Sequence, residues 1–584
     1  MNEARALGKP PEALFIIFLI VTKESEEKKM KYSGAKIIVE TLVEQGVDTV
    51  FGYPGGAVLN IYDEIYKASD RLNHYITCHE QGASHSADGY ARATGKTGVV
   101  IATSGPGATN LVTGIATAYL DSTPLVAITG NVAQPLIGKD SFQEVDITGI
   151  TMPITKHNYF VKDVSKLADV IREAFQIANS GRPGPVLIDV PKDIQVALCD
   201  FENKAMEKTY KKTIIEKEQL DNAIKLILEA KRPFIYAGGG IVISDASDEL
   251  VDFAQLIDAP IGTSMMGLSC IPYNHPQNLG MTGMHGKFAA SKVMAMSDLI
   301  IAIGTRFSDR ATGDKLEFSK GRKILHIDID PAEISKNIPA YVSLIGDVKS
   351  VLSTLNKSLS KIERADWISE VEQIKNSPDY HLQMDKNRLT PQGVIEAVKG
   401  YMDSENVVAT DVGQHQMWVS QYYQFEKPRT FVTSGGLGTM GFGMGAAMGA
   451  CIGSGKRRTV LFTGDGSFHM NLNELATAVT NELPIIVVIM NNSVLGMVRQ
   501  WQNLFFEQRY SNTTLNRKTD YVKLAQAFGA TGYRISSQNQ IDDVLKKAFE
   551  SKTPVVIDVV IDCDEKVLPM IPPGGTISDI IIKG

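Results

Sequence analysis

The chain has only five cysteines, and none forms a CxxC pair. Cys78, Cys199, Cys270, Cys451 and Cys563 are odd in number and far apart, as expected for reduced thiols of a cytoplasmic protein and not for a disulfide framework. A basic surplus is also lacking. The formal net charge is −7 and the pI about 5.9, which excludes a large basic face for nucleic acid or an anionic membrane. The apolar run Ala13–Val21 is too short to span a bilayer, which takes about 20 residues. Arg5 and Lys9 precede it, so it loosely imitates a signal-peptide core. Lys23-Glu24-Ser25-Glu26-Glu27 follows it where a small-residue cleavage site would stand. Residues 1–30 are therefore expected to be a poorly ordered extension, or to be translated upstream of a start at Met30.

At 584 residues, 43% apolar and 21% charged, the chain exceeds what one hydrophobic core holds and has the profile of a soluble globular protein. From Lys31 onward, helix-period segments alternate with short β-branched runs. These runs are Gly98–Thr103, Leu125–Thr129, Pro185–Val190, Leu299–Ile303, Thr459–Thr463 and Ile485–Met490. Continuous apolar strands between amphipathic helices imply an α/β fold of doubly wound parallel sheets, with ligands at the carboxyl ends of the strands. Two charged stretches look like linkers. The expected units are 31–195, a linker at 196–217, 218–360, a linker at 361–388, 389–562, and a tail at 563–584.

The strongest motif is Gly464-Asp465-Gly466-Ser467, with Asn492 following 27 residues after the Asp. Strand, helix and strand make one βαβ unit, so Asp465 and Asn492 can stand on neighbouring strands about 4.8 Å apart. Mg²⁺ takes hard oxygens in an octahedron and shares its shell with phosphates. A carboxylate, an amide oxygen and a backbone carbonyl leave room for two diphosphate oxygens and a water. Gly464 and Gly466 let backbone approach the phosphates. The competing possibility is a turn in which Asp465 merely caps a helix; the paired spacing favours the ion site.

From GDG to Asn491-Asn492 the stretch resembles the thiamine-diphosphate signature. His79-Glu80-Gln81-Gly82-Ala83 resembles the segment bearing that superfamily's cofactor-activating glutamate. Asp411-Val412-Gly413-Gln414-His415 and Gly435–Gly441 resemble its diphosphate and aminopyrimidine contacts. From about Tyr32 to the end, the chain most resembles the catalytic subunits of the acetohydroxyacid (acetolactate) synthase family. The resemblance implies thiamine diphosphate held by Glu80, Gln414, His415, Gly438, Met440, Asp465, Gly466, Ser467, Asn492, Gly496 and Met497, with Mg²⁺ on Asp465, Asn492 and Val494. It gives Glu80 the part of favouring the cofactor's imino tautomer, which takes the proton from its reactive carbon. Without the resemblance, Glu80 is equally a helix N-terminal charge. Met440 would support the cofactor in a dry pocket, or simply pack in a core.

The same resemblance assigns substrate-facing roles to Phe142-Gln143 and Lys156, with Gln143 and Lys156 touching bound intermediates. It gives the middle unit an FAD site at Gly238-Gly239-Gly240, Gly283-Met284-His285-Gly286, Arg306 and Asp328-Ile329. Arg182, Thr263, Asp347 and Val348 join that set. The arginine segment reads Arg306-Phe307-Ser308-Asp309-Arg310, where the synthases more often carry two aspartates. Trp501 in Gly496–Gln502 would shape the pocket for the second keto acid, and Arg310 would clamp its carboxylate. Met570–Gly575 resembles the family's closing tail.

The implied reaction joins pyruvate, after loss of CO₂, to pyruvate or 2-oxobutanoate, with FAD structural. The implied partners are a second copy (a homodimer or dimer of dimers) and the separate regulatory small subunit common in the family. Three alternatives stand beside this: an oxidase of the superfamily, an FAD-free catabolic acetolactate synthase, and a non-catalytic relative. Fold alone separates none of them.

Overall fold

The computed structural model describes residues 30–204, 215–377 and 388–582. The expected extension lies outside the described residues, save for Met30. Three parallel six-stranded sheets organise the chain, and all six β-branched runs are strands within them. In spatial order, the first holds Asn73–Ile76, Thr49–Tyr53, Gly98–Ala102, Leu125–Asn131, Pro185–Pro191 and His157–Phe160. The middle sheet holds Asn278–Met281, Ile261–Thr263, Pro233–Ala237, Leu299–Ile303, Lys323–Asp328 and Val342–Ile345. The third holds Phe431–Val432, Val407–Thr410, Thr459–Gly464, Ile485–Asn491, Val555–Val560 and Thr531–Ile535. Gly98–Ala102 and Leu299–Ile303 are buried throughout, as strands covered on both faces must be.

Strand order separates the units. Numbered along the chain within each sheet, the outer two run 2-1-3-4-6-5, whereas the middle one runs 3-2-1-4-5-6. The latter is the order of dinucleotide-binding sheets, whose crevice opens between strands 1 and 4. In the outer sheets the order reverses between strands 1 and 3. Those crevices receive the loops after Tyr53 and Ala102 in the first unit, and after Thr410 and Gly464 in the third.

Both expected linkers are partly structured. Leu198–Phe201 forms a strand antiparallel to Met30–Ser33, tying the start of the first unit to its end. Ala365–Lys375 is a helix whose Trp367 is buried and donates Nε1–H to the Pro233 carbonyl at 3.0 Å. Charge density in the sequence hid one apolar stripe in each stretch.

The outer units meet through two helices, Glu80–Thr94 and Phe442–Gly453. Backbones touch because glycine lies at the crossing. A Cβ on Gly449 would lie 1.8 Å from the Ser86 carbonyl oxygen, and one on Gly89 would lie 2.1 Å from that of Ala446. Ser86 Oγ donates to the Gly445 carbonyl at 3.0 Å across the same seam.

Candidate active site

Thr459–Gly464 and Ile485–Asn491 are adjacent parallel strands, with Gly464 opposite Met490. Asp465 and Asn492 therefore leave the same sheet edge one residue and two residues further on. Asp465 is buried, and burial pushes its carboxyl up to about 6. Its carbonyl is held by Arg517 Nη1 at 3.2 Å and the Tyr521 hydroxyl at 3.3 Å.

Asn492 Nδ2 donates to Gln414 Oε1 at 3.1 Å, which commits the amide nitrogen and turns the amide oxygen toward the Val494 amide at 3.3 Å. Gly496 makes this approach possible, since a Cβ there would lie 1.9 Å from Gln414 Oε1. Gly496 thus shapes the site by its missing side chain, and Met497 beside it packs on the third unit's core. Val494 is buried and bridged to Thr514, so its carbonyl is fixed at the end of the same segment.

Around this pair, Ser467 Oγ lies 3.0 Å from Thr463 Oγ1 and receives the Gly464 amide at 3.2 Å. His415 is buried with Nε2 unpartnered, and burial lowers its pKa to about 3, so the ring is neutral. Gly438 takes a left-handed φ of 72° with open space beside it, and Met440 reaches toward Gly466. A hard-oxygen pair at a strand edge, an unpartnered buried imidazole and open space beside Gly438 fit a metal-bound diphosphate.

Glu80 starts its helix and is buried, accepting from Asn110 Nδ2 at 2.9 Å. Asn110 lies outside any motif in the sequence; nothing in its neighbourhood marks it. A Cβ on Gly107 would lie 3.2 Å from Glu80 Oε1, and one on Gly105 would lie 2.8 Å from the Gln143 carbonyl. The loop after Ala102 thus brings Glu80 and Gln143 together, with Gln143 at a left-handed φ of 59°. Phe142 beside it is 85% exposed.

Lys156 precedes the strand His157–Phe160. Its ammonium is held by the carbonyls of Ile177 and Ser180, and burial lowers its pKa to about 8. Its charged neighbours are Asp330 and Arg182, so it borders the middle unit.

In the middle crevice, Gly238 and Gly240 serve close backbone packing. Cβ atoms there would lie 2.0 Å from the Gly304 carbonyl oxygen and 2.7 Å from its Cα. Gly239 faces Met266 instead. Buried polar atoms without partners mark the crevice: Thr263 Oγ1, His285 Nδ1 and His326 Nδ1. Asp328, at the end of Lys323–Asp328, is pushed up to about 6 by burial, and Ile329 follows it half-buried. Arg182 crosses from the first unit, donating to Ser122 Oγ and Glu333 Oε1 at 2.8 Å each. Arg306 is half-buried among Arg182, Asp121, Glu333 and Asp328, and its pKa is lowered by burial. Asp347 caps the helix Val348–Ser358 at the next strand end. Unsatisfied buried donors and acceptors at a 3-2-1-4-5-6 crevice fit a dinucleotide such as FAD.

Arg310 and Trp501 converge from different units. The Arg310 guanidinium carbon lies 5.5 Å from the centre of the Trp501 ring, and Arg310 Nη1 lies 3.5 Å from Met284 Sδ. Gly283, at φ 95°, lets the Arg310 carbonyl close on the chain, and the Gly286 amide completes that turn on the Gly283 carbonyl. The tail covers this point, with the Ile571 amide donating to the Met284 carbonyl at 2.8 Å. Gln500, inside the Gly496–Gln502 segment but assigned no role there, accepts from Gln414 Nε2 at 3.1 Å and from the Val567 amide at 2.8 Å. It thereby links the metal pair to the tail.

The comparisons with known proteins agree with this arrangement. Three profiles match in order: the N-terminal TPP binding domain of thiamine pyrophosphate enzymes over residues 32–150, their central domain over 220–355, and their C-terminal TPP binding domain over 411–559. The probable acetolactate synthase large subunit of Methanocaldococcus jannaschii is 46% identical over 563 residues, covering 94% of this chain and 95% of the relative. The acetolactate synthase of Mycobacterium leprae is 45% identical over 575 residues, covering 96% and 92%. The large subunit of the Buchnera aphidicola enzyme is 42% identical over 564 residues, covering 94% and 98%.

Proposed function

Because this chain belongs to the acetolactate synthase large-subunit family of thiamine pyrophosphate enzymes, we propose that it decarboxylates pyruvate and joins the two-carbon unit to pyruvate or 2-oxobutanoate. The products are 2-acetolactate and 2-aceto-2-hydroxybutanoate, each with one CO₂, and they place the enzyme at the entry to branched-chain amino acids. The observation that carries this reading is Arg310 stacked on Trp501 beside Met284. An exposed guanidinium over an aromatic ring offers a carboxylate clamp with an apolar wall, which a second keto acid needs and a plain decarboxylase does not.

Asp465, Asn492 and the Val494 carbonyl would hold Mg²⁺, with Gln414, His415, Gly466 and Ser467 around the diphosphate. Bound thiamine diphosphate supplies the nucleophilic carbon that adds to a 2-keto acid and the electron sink that lets CO₂ leave. Glu80, fixed by Asn110, would hydrogen-bond the aminopyrimidine ring and favour its imino tautomer. Met440 would keep water from the bound cofactor, and Gln143 would orient the keto acid. Lys156, with Arg182 and Asp330 as charged neighbours, would stand at the border between the substrate-facing segment and the FAD crevice. FAD, in the middle crevice, is structural, since the net reaction transfers no electrons to it.

Glu80 and the metal pair have separate surroundings, Asn110 and Gly107 for one and Arg517, Tyr521 and Asn492 for the other. Large apolar side chains stand exposed on the segments that carry the site: Phe142, Met152, Met470 and Phe506. Both facts support a homodimer in which a second copy completes each site. The large-subunit names of the relatives support a smaller regulatory partner. Among the described residues, no helix is long and apolar enough to cross a membrane. The free cysteines support a reducing, cytoplasmic setting.

The test mixes pure protein with thiamine diphosphate, Mg²⁺, FAD, pyruvate and 2-oxobutanoate, measuring both products and oxygen. Oxygen uptake without either product would replace the synthase with an oxidase. Glu80→Gln keeps an acceptor for Asn110, so it folds and binds cofactor while turnover drops by about 10²–10⁴-fold. Near-normal product formation would remove Glu80 from the chemistry.

A further inference from the structure

The loop Thr433–Met440 carries Gly438 and Met440, yet its entry is gripped by the first unit of the same chain. Asp121, buried at the end of the helix Val112–Asp121, accepts the Gly435 amide at 3.2 Å and the Gly436 amide at 2.6 Å. Gly436 is what lets the carboxylate come so close, since a Cβ there would lie 2.7 Å from Asp121 Oδ1 and 2.9 Å from the Leu120 carbonyl oxygen. Arg92 holds Asp121 in turn, donating Nη2 to it at 3.0 Å and Nη1 to the Thr433 carbonyl at 2.8 Å. Asp88 pairs with the same guanidinium, so one cation stands between two carboxylates in the interior. At the far end of the loop, Thr117 Oγ1 and Thr439 Oγ1 lie 2.7 Å apart. One face of one helix thus fixes the loop at both ends.

Resting on the reading of Gly438 and Met440 as thiamine contacts, we propose that Asp121 is a positioning residue that sets the cofactor loop of the third unit from the first. Two amides donated to one buried carboxylate are charge-assisted and direction-specific. They fix the loop's path before cofactor arrives, so binding does not have to order it. The Arg92 bridge keeps the carboxylate in place; an unpaired buried acid would not hold its position.

The test uses the full-length protein. Asp121→Asn keeps the size of the side chain but loses charge and one acceptor. Amide hydrogen exchange over 433–441 is measured without cofactor, and thiamine diphosphate affinity is measured with Mg²⁺. The expected result is at least about tenfold faster exchange at Gly435 and Gly436 and about tenfold weaker thiamine diphosphate binding. Exchange in Asp465–Asn471 and Mg²⁺ affinity measured with inorganic pyrophosphate stay as in the parent, which a general loss of stability would not allow.

Thr117→Val leaves the buried charges alone and keeps the test open if Asp121→Asn does not fold. It is expected to weaken thiamine diphosphate binding about fivefold. Unchanged exchange and affinity in these variants would overturn the proposal. Faster loop exchange with unchanged affinity would overturn the reading of Gly438 and Met440 as thiamine contacts, and this role with it.

Discussion

Replacing Gly449 with alanine tests whether the seam between the outer units sets Glu80. The new Cβ would lie 1.8 Å from the Ser86 carbonyl oxygen, 2.6 Å from its carbon and 2.8 Å from the Tyr90 nitrogen. All three are backbone atoms in the middle of Glu80–Thr94, so no side chain can swing aside. To reach even the shortest real Cβ contact, near 3.0 Å, the two helices must part by about 1.2 Å.

Overpacking of this kind costs about 1–3 kcal/mol, and alanine's better helix propensity returns at most about 1. Destabilisation wins, and at about 2–4 °C per kcal/mol a unit of this size should melt several degrees lower. Because the displaced helix begins at Glu80, a shift of about 1 Å is also expected to lower acetolactate turnover on the order of 100-fold. Gly400→Ala is the control, since nothing lies within 4 Å of its Cβ and it sits in the helix Pro391–Tyr401. Melting scans and acetolactate assays on both variants decide the matter. If Gly449→Ala melts with Gly400→Ala and turns over within about twofold of the parent, the packing argument fails.

Two further expectations rest on single side chains. Asp189 is buried, accepting from Thr129 Oγ1 at 2.7 Å and Asn131 Nδ2 at 2.6 Å, and burial raises its pKa from 3.8 to about 7. The folded state then binds more protons than the unfolded one between those values. Stability therefore falls as pH rises from about 4 to 7, by at most on the order of 4 kcal/mol. Asp189→Asn should flatten the melting temperature between pH 5 and 8, and parallel profiles for parent and variant would refute this. Trp501→Leu removes the ring beneath Arg310 and should weaken use of the acceptor keto acid about 2–30-fold. Release of CO₂ from pyruvate should be spared; equal loss in both measurements would mean that Trp501 is not an acceptor residue.

The sequence alone determined what depends on local spacing. Continuous β-branched runs named six strands, since a strand buried on both faces has no polar side to show. The interval between Asp465 and Asn492 implied neighbouring strands, because a βαβ crossover leaves little other choice. Tertiary structure decided what depends on distant chain segments. The Arg310–Trp501 stack, the Asn110–Glu80 bond and the Asp121 grip on Gly435–Gly436 join residues with no fixed interval between them. The purpose of glycine was likewise invisible in the one-dimensional text. Gly238 and Gly240, assigned by resemblance to an FAD site, admit the backbone of Gly304, and Gly496 makes room for Gln414. A missing side chain declares only that something comes close; which atom does so is set by the packing of the units against one another.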